Sequence, residues 1–202
     1  MPDTTPLALL GGTFDPPHIG HLVLAESART QFGAERVLFL PAGDPWKKSG
    51  RTVTAASDRL AMVNRATASN SHFFVDDREV RRSGPTYTVD TLESLRDEGH
   101  DNLILILGSD ALAEMHTWKQ PDRIRQLATI VVARKDQATI EAGMRVVDMP
   151  NIGISSTDIR ARIAAGKTIR YLTLAPVAAY IYEHGLYQRK APPTRRPGGL
   201  RI

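Results

Sequence analysis

The chain of 202 residues contains no cysteine. That excludes disulfides, thiolate metal sites, iron–sulfur clusters and cysteine nucleophiles, and it suits a reducing compartment. No apolar run approaches the roughly eighteen residues that a membrane-spanning helix needs. The opening Met1-Pro2-Asp3-Thr4-Thr5-Pro6 lacks both the basic start and the apolar centre of a secretion signal. The expectation is a soluble, cytoplasmic protein without a membrane partner.

A marked charge of one sign is also missing from most of the chain. The formal net charge is +4, yet residues 188–202 hold Arg189, Lys190, Arg195, Arg196 and Arg201 and no acid. Removing those five charges leaves residues 1–187 at −1, which speaks against a nucleic-acid partner for the body. The same stretch carries Pro192, Pro193, Pro197, Gly198 and Gly199 with almost nothing apolar. It reads as a disordered tail, either simply solvated or meeting an anionic partner. The remainder, in a chain that is 42% hydrophobic and 24% charged, is sized and composed like one globular domain over 1–187. Nothing in it fixes an oligomeric state, and a homo-oligomer stays open.

What is present is an alternation of two patterns. Apolar, β-rich runs at 6–10, 36–40, 72–75, 103–107, 129–133 and 145–149 predict strands, and helical patterns fall at 18–32, 58–68, 88–98, 157–165 and 176–184. Leu103-Ile104-Leu105-Ile106-Leu107 is apolar at every position, as in a central strand covered on both faces. Strands alternating with helices imply an α/β fold, a parallel sheet with helices on both faces, whose ligands bind at the carboxyl ends of the strands. The residues after Leu10, Leu40 and Leu107 are therefore the first candidates for chemistry.

After Leu10 comes Gly11-Gly12-Thr13-Phe14-Asp15-Pro16-Pro17-His18-Ile19-Gly20-His21. Gly11 and Gly12 let an anion approach the backbone, and a helix starting near His18 directs N–H groups and its positive end at the same space. His18 and His21, three apart, share a face, and Gly20 keeps bulk from between them. Without a third ligand at a recognisable spacing the pair suits phosphate better than a metal, although surface histidines at this spacing are also common. Neither GxGxxG nor GxxxxGK[ST] occurs. A second segment, Ile154-Ser155-Ser156-Thr157-Asp158-Ile159-Arg160, sets three hydroxyl residues at a helix start with a guanidinium one turn in. That is an anion cradle or simply a capped helix.

Together these segments resemble the HxGH nucleotidyltransferases, and among them the bacterial nicotinate mononucleotide adenylyltransferases, whose signatures read TFDPxHxGH and ISSTxIR. The resemblance extends over most of 7–187 and implies a Rossmann-like sheet. Thr13-Phe14-Asp15, rather than the Phe-Gln or Phe-Asn forms of archaeal and eukaryotic relatives, favours the bacterial group. So does Arg82-Ser83-Gly84-Pro85-Thr86-Tyr87-Thr88-Val89-Asp90, similar to a segment that shapes the family's mononucleotide pocket.

By that resemblance ATP lies against Gly11, Gly12, Thr13, Phe14, His18, Gly20 and His21, with Gly108 and Asp110 near its ribose. Its triphosphate meets Ile154, Ser155, Ser156, Thr157 and Arg160. The mononucleotide meets Asp15, Lys47, Thr86, Tyr87, Thr88 and Trp118, the indole beside the pyridine ring. By themselves, Asp110 could equally be a helix N-cap and Trp118 a core residue. Asp44-Pro45-Trp46-Lys47-Lys48 departs from the usual Pro-Pro-His-Lys, so the functional lysine is Lys47, by alignment of the proline, or Lys48.

The implied reaction joins ATP and nicotinate mononucleotide in NAD biosynthesis. A phosphate monoester is already ionised near neutral pH, so catalysis reduces to holding two anions in line and neutralising charge. His18 and His21 are expected at the α-phosphate, with Lys47 and Arg160 on the phosphate chain. Mg²⁺ is expected to arrive with ATP and not in a protein cage. Transferases for phosphopantetheine, FMN or nicotinamide mononucleotide, and a nucleotide-binding protein without turnover, are the alternatives.

Overall fold

Two apolar runs decide the layering, because alternate side chains of a strand leave on opposite faces. In a computed structural model, which describes residues 5–44, 53–133 and 144–189, the strands are β1 (Leu7–Gly12), β2 (Arg36–Pro41), β3 (Phe73–Val75), β4 (Leu103–Gly108), β5 (Thr129–Ala133) and β6 (Arg145–Val147). The helices are α1 (Ile19–Gln31), α2 (Ala56–Thr67), α3 (Arg78–Arg81), α4 (Thr88–Asp97), α5 (Ser109–Glu114), α6 (Pro121–Leu127), α7 (Ser156–Ala164) and α8 (Ala175–Glu183). Lys47, Lys48 and residues 190–202 of the basic tail lie outside the described residues.

Leu7 and Leu9 of β1 join Leu103, Leu105 and Leu107 of β4 against Val89, Leu92 and Leu95 of α4. Ala8 and Leu10 join Ile104 and Ile106 against Leu24, Ala25 and Ala28 of α1 on the other face. The unbroken apolar run of β4 thus supplies both layers. At about 1.5–3 kcal/mol for each fully buried large side chain, it is a principal source of stability. A third cluster, with Met62, Ile159, Ile163 and Ile181, ties α2 to α7 and α8.

All strand pairs are parallel, in the order β3-β2-β1-β4-β5-β6. The chain winds outward from β1 in one direction, then returns to β4 and winds in the other. Neighbouring connections therefore part at β1 and β4, opening a crevice beyond their carboxyl ends. No helix among the described residues is long and apolar enough to cross a membrane.

Three short helices, α3, α5 and α6, and a 3-10 turn at Met115–Thr117, lie where the sequence predicts no regular element. They have four, six and seven residues, too few to establish a 3.6-residue period. β6 ends at Val147, two residues before the apolar run does.

Candidate active site

Gly11-Gly12-Thr13 at the end of β1, Gly108 at the end of β4 and Asp110 in α5 line one cavity of about 410 Å³. That volume falls within the range of small-molecule sites. Thr86, Tyr87, Thr88 and Trp118 line the same cavity. Four of the six residues expected at the mononucleotide are thereby gathered, from the α3–α4 connection, the start of α4 and the turn after α5. Trp118 also packs against the apolar cluster under α4, so it is core on one side and cavity wall on the other. Asp110 is exposed in the first turn of α5, and the N-cap position belongs to Gly108.

Glu79, Glu114 and Lys119 line the cavity too and were not anticipated. Lys119 Nζ stands 4.8 Å from the centre of the Tyr87 ring and donates to Asp90 at 2.8 Å. Glu79 is 8% exposed and accepts a hydrogen bond from Thr91 Oγ1 at 2.8 Å. Burial pushes its carboxyl above the ordinary range, opposed by that hydrogen bond and by the Arg82 charge. A glutamate spaced into the buried face of α3 was its one sequence signal, and four residues made it illegible.

A second part of the site is built on α1. His18 is the N-cap residue, with extended backbone (φ −142°, ψ 170°), and is not itself helical. The two imidazoles nevertheless stack, centroids 3.7 Å apart and planes 27° from parallel. His18 N–H donates to His21 Nδ1 at 3.1 Å, which leaves the His21 proton on Nε2. Burial lowers His18 to about 4, so its ring is neutral at physiological pH. The stacked pair thus offers neutral N–H groups, not two cations.

Gly20 has a steric reason. A Cβ there would stand 3.1 Å from His18 Nδ1 and 3.2 Å from Cε1. Two of the first amides of α1 are engaged within the chain: Ile19 N–H donates to Leu172 O and His21 N–H to His18 O. These two N–H groups are therefore not among those left for an anion. Phe14 occupies the left-handed region (φ 49°), and its ring meets His21 edge-on, centroids 5.0 Å apart.

The second segment arrives beside the first. Ser155 caps α7, its Oγ accepting from Asp158 N–H at 3.1 Å. Ser156 Oγ donates to Pro16 O at 2.8 Å, and Arg160 donates to Asp15 O at 2.7 Å and Thr157 Oγ1 at 3.1 Å. The N-termini of α1 and α7 therefore converge, and two positive helix ends and a guanidinium share one region. Ile154 packs with the α2–α7–α8 cluster and lines a separate groove beside α7. The Asp15 side chain faces inward: it is 2% exposed, is absent from the cavity wall, and its Oδ1 accepts from Tyr187 OH at 2.7 Å. Among the described residues no three His, Asp or Glu side chains gather as a metal site.

The sequence and the fold are shared with known proteins. Residues 9–162 match the family described as Cytidylyltransferase-like. The "Probable nicotinate-nucleotide adenylyltransferase" of Roseiflexus sp. (strain RS-1) is 43% identical over 197 residues, covering 92% of this chain and 99% of that one. A protein of the same name from Streptomyces coelicolor is 44% identical over 186 residues, covering 89% and 99%. The solved Plasmodium falciparum nicotinic acid mononucleotide adenylyltransferase complexed with NaAD superposes with a TM-score of 0.77. It is 17% identical and covers 91% of this chain and 97% of its own, a likeness of fold. The chain belongs to the Cytidylyltransferase-like family and, within it, to the nicotinate-nucleotide adenylyltransferases.

Proposed function

We propose that this enzyme transfers AMP from ATP to the 5′-phosphate of nicotinate mononucleotide, in NAD biosynthesis, by direct in-line attack without a covalent enzyme intermediate. A mononucleotide phosphate oxygen forms the new bond to the α-phosphorus. The bond from that phosphorus to the bridging oxygen breaks, and pyrophosphate leaves with the electron pair. The products are nicotinate adenine dinucleotide and pyrophosphate.

The observation that carries this reading is the convergence of the α1 and α7 N-termini beside the 410 Å³ cavity, locked by Arg160 and Ser156 onto the β1–α1 loop. One region holds a polyphosphate, the adjoining one a flat ring beside Trp118. No base is required, which suits a site whose histidines are neutral donors. Their N–H groups, with Arg160, stabilise charge that grows on the α-phosphate and the departing oxygen. Lys47 or Lys48 adds a further cation to the phosphate chain. Mg²⁺, arriving with ATP as part of the substrate, would neutralise part of the polyphosphate charge.

The test is pyrophosphate release with ATP and Mg²⁺, presenting nicotinate mononucleotide, its nicotinamide counterpart and phosphopantetheine in parallel. A kcat/KM well above the others for the nicotinate substrate is the expected result. Preference for either of the others assigns a different acceptor, and binding of ATP without release overturns the transferase reading.

A further inference from the structure

Arg59 belongs to α2, and its side chain is buried, 1% exposed. A guanidinium taken out of water is costly unless its donors are satisfied. Here Nε donates to Thr54 O at 2.9 Å, Nη1 to Thr13 O at 2.9 Å and Nη2 to Gly43 O at 2.8 Å. One planar fork thus joins three segments. The Asp15 carboxylate supplies an offsetting charge and is itself held by the Tyr187 hydroxyl, which burial keeps protonated.

The loop Thr13-Phe14-Asp15 is consequently gripped from two sides. Arg59 holds the Thr13 carbonyl from beneath and Arg160 holds the Asp15 carbonyl from the phosphate end. Between them Phe14 keeps a left-handed backbone, a conformation that a non-glycine residue retains only where its surroundings over-determine it. That backbone delivers the phenyl ring, 2% exposed, edge-on to His21 at 5.0 Å. His21 in turn stacks on His18. The β2 end is set by the same fork: Gly43 lies so close to α3 that a Cβ would fall 2.1 Å from Glu79 O.

We infer that Arg59 is a positioning residue for the transfer, fixing the Thr13–Asp15 loop so that Phe14 holds His21 at its working orientation. The inference rests on the proposed adenylyl transfer for its kinetic consequence, but its structural consequence is independent of any substrate. Asp15 and Tyr187 act in the same device, from within the fold and not from the cavity.

Arg59→Lys keeps the charge and loses the planar fork. The expected result is a fall in kcat of about 30-fold or more, with KM for ATP and the mononucleotide each within about threefold. In long-range ¹H–¹⁵N spectra of the substrate-free protein, the His21 ring signals shift while those of the distant His72 and His116 stay. Unchanged His21 signals in a folded Arg59→Lys variant overturn the proposal, as does a raised KM with kcat intact. Should that variant not fold, Phe14→Leu decides: moved His21 signals and a lowered kcat support it, and wild-type values for both overturn it. Wild-type protein that turns over no mononucleotide would sink the functional reading alone, since the histidine spectra still report on Arg59.

Discussion

Arg160 Nη1 donates to the main-chain carbonyl of Asp15 at 2.7 Å, across 145 residues of sequence. The two signature segments are therefore one structural unit, and the guanidinium that is expected to meet phosphate is already oriented before any ligand arrives. Such preorganisation is where charge-stabilising sites obtain most of their effect. Arg160→Lys keeps a charge but cannot bond Asp15 and Thr157 in the same plane. We expect kcat/KM to drop by about 100-fold, roughly 3 kcal/mol of transition-state stabilisation, with unaltered circular dichroism. Turnover within tenfold of wild type would separate Arg160 from the reaction.

Gly20→Ala tests the stacked histidines without touching them. Alanine is favoured over glycine in a helix by about 1 kcal/mol, so the melting temperature should hold or rise. The new methyl nevertheless meets the His18 ring at 3.1 Å, so the ring must give by a few tenths of an ångström. A loss of about tenfold or more in kcat at undiminished stability is expected, and a fully active variant would show that the stack is dispensable.

His18 makes stability depend on pH in a defined window. Its ring ionises near 6.5 when unfolded and at about 4 when buried, so between those values the unfolded chain binds the extra proton. The contribution is complete above pH 6.5, declines as pH falls, and is exhausted below about pH 4. His18→Asn removes this dependence. Thermal melts from pH 7 to 4 should therefore fall more steeply for wild type than for the variant, by about 5 °C over the interval, and parallel curves would contradict a neutral, buried His18.

Trp118 is proposed to act on the mononucleotide alone. Trp118→Leu preserves much of the apolar contact with the α4 cluster while removing the flat π surface. A rise of about fivefold in KM for the mononucleotide corresponds to an aromatic stacking interaction of about 1 kcal/mol. KM for ATP should stay within twofold, and an equal rise in both would indicate that the indole is structural.

Part of the local structure is legible in the sequence because it is short-range. Gly11-Gly12, His18-Ile19-Gly20-His21 and Ser155-Ser156-Thr157 each lie at one strand end or helix start, where the pattern marks the turn and the cap, while their roles toward a ligand are what the family resemblance implies. Arg59 was not read, although a signal exists. With Met62, Val63 and Ala66 it occupies the buried stripe of α2, where a charge is out of place unless something long-range satisfies it. Its partners, Thr13 and Gly43, can be found only after folding brings them there. Asp15 was placed in the mononucleotide site because it sits inside the signature, and proximity in sequence could not tell that its carboxylate turns toward Tyr187. The helices α3, α5 and α6 were missed for lack of length, and α5 buries no residue at all.

The sheet is complete once Val147 has paired with Ala133, but the region around the N-terminus of α1 is not. Ser156, Arg160, Thr173 and Tyr187 all reach back to residues 15–17. During synthesis, therefore, the sheet and its crevice can form before residues 156–187 emerge, and the region where α1 and α7 meet is assembled only when they dock. The scaffold of the site precedes, in chain order, the residues that lock it.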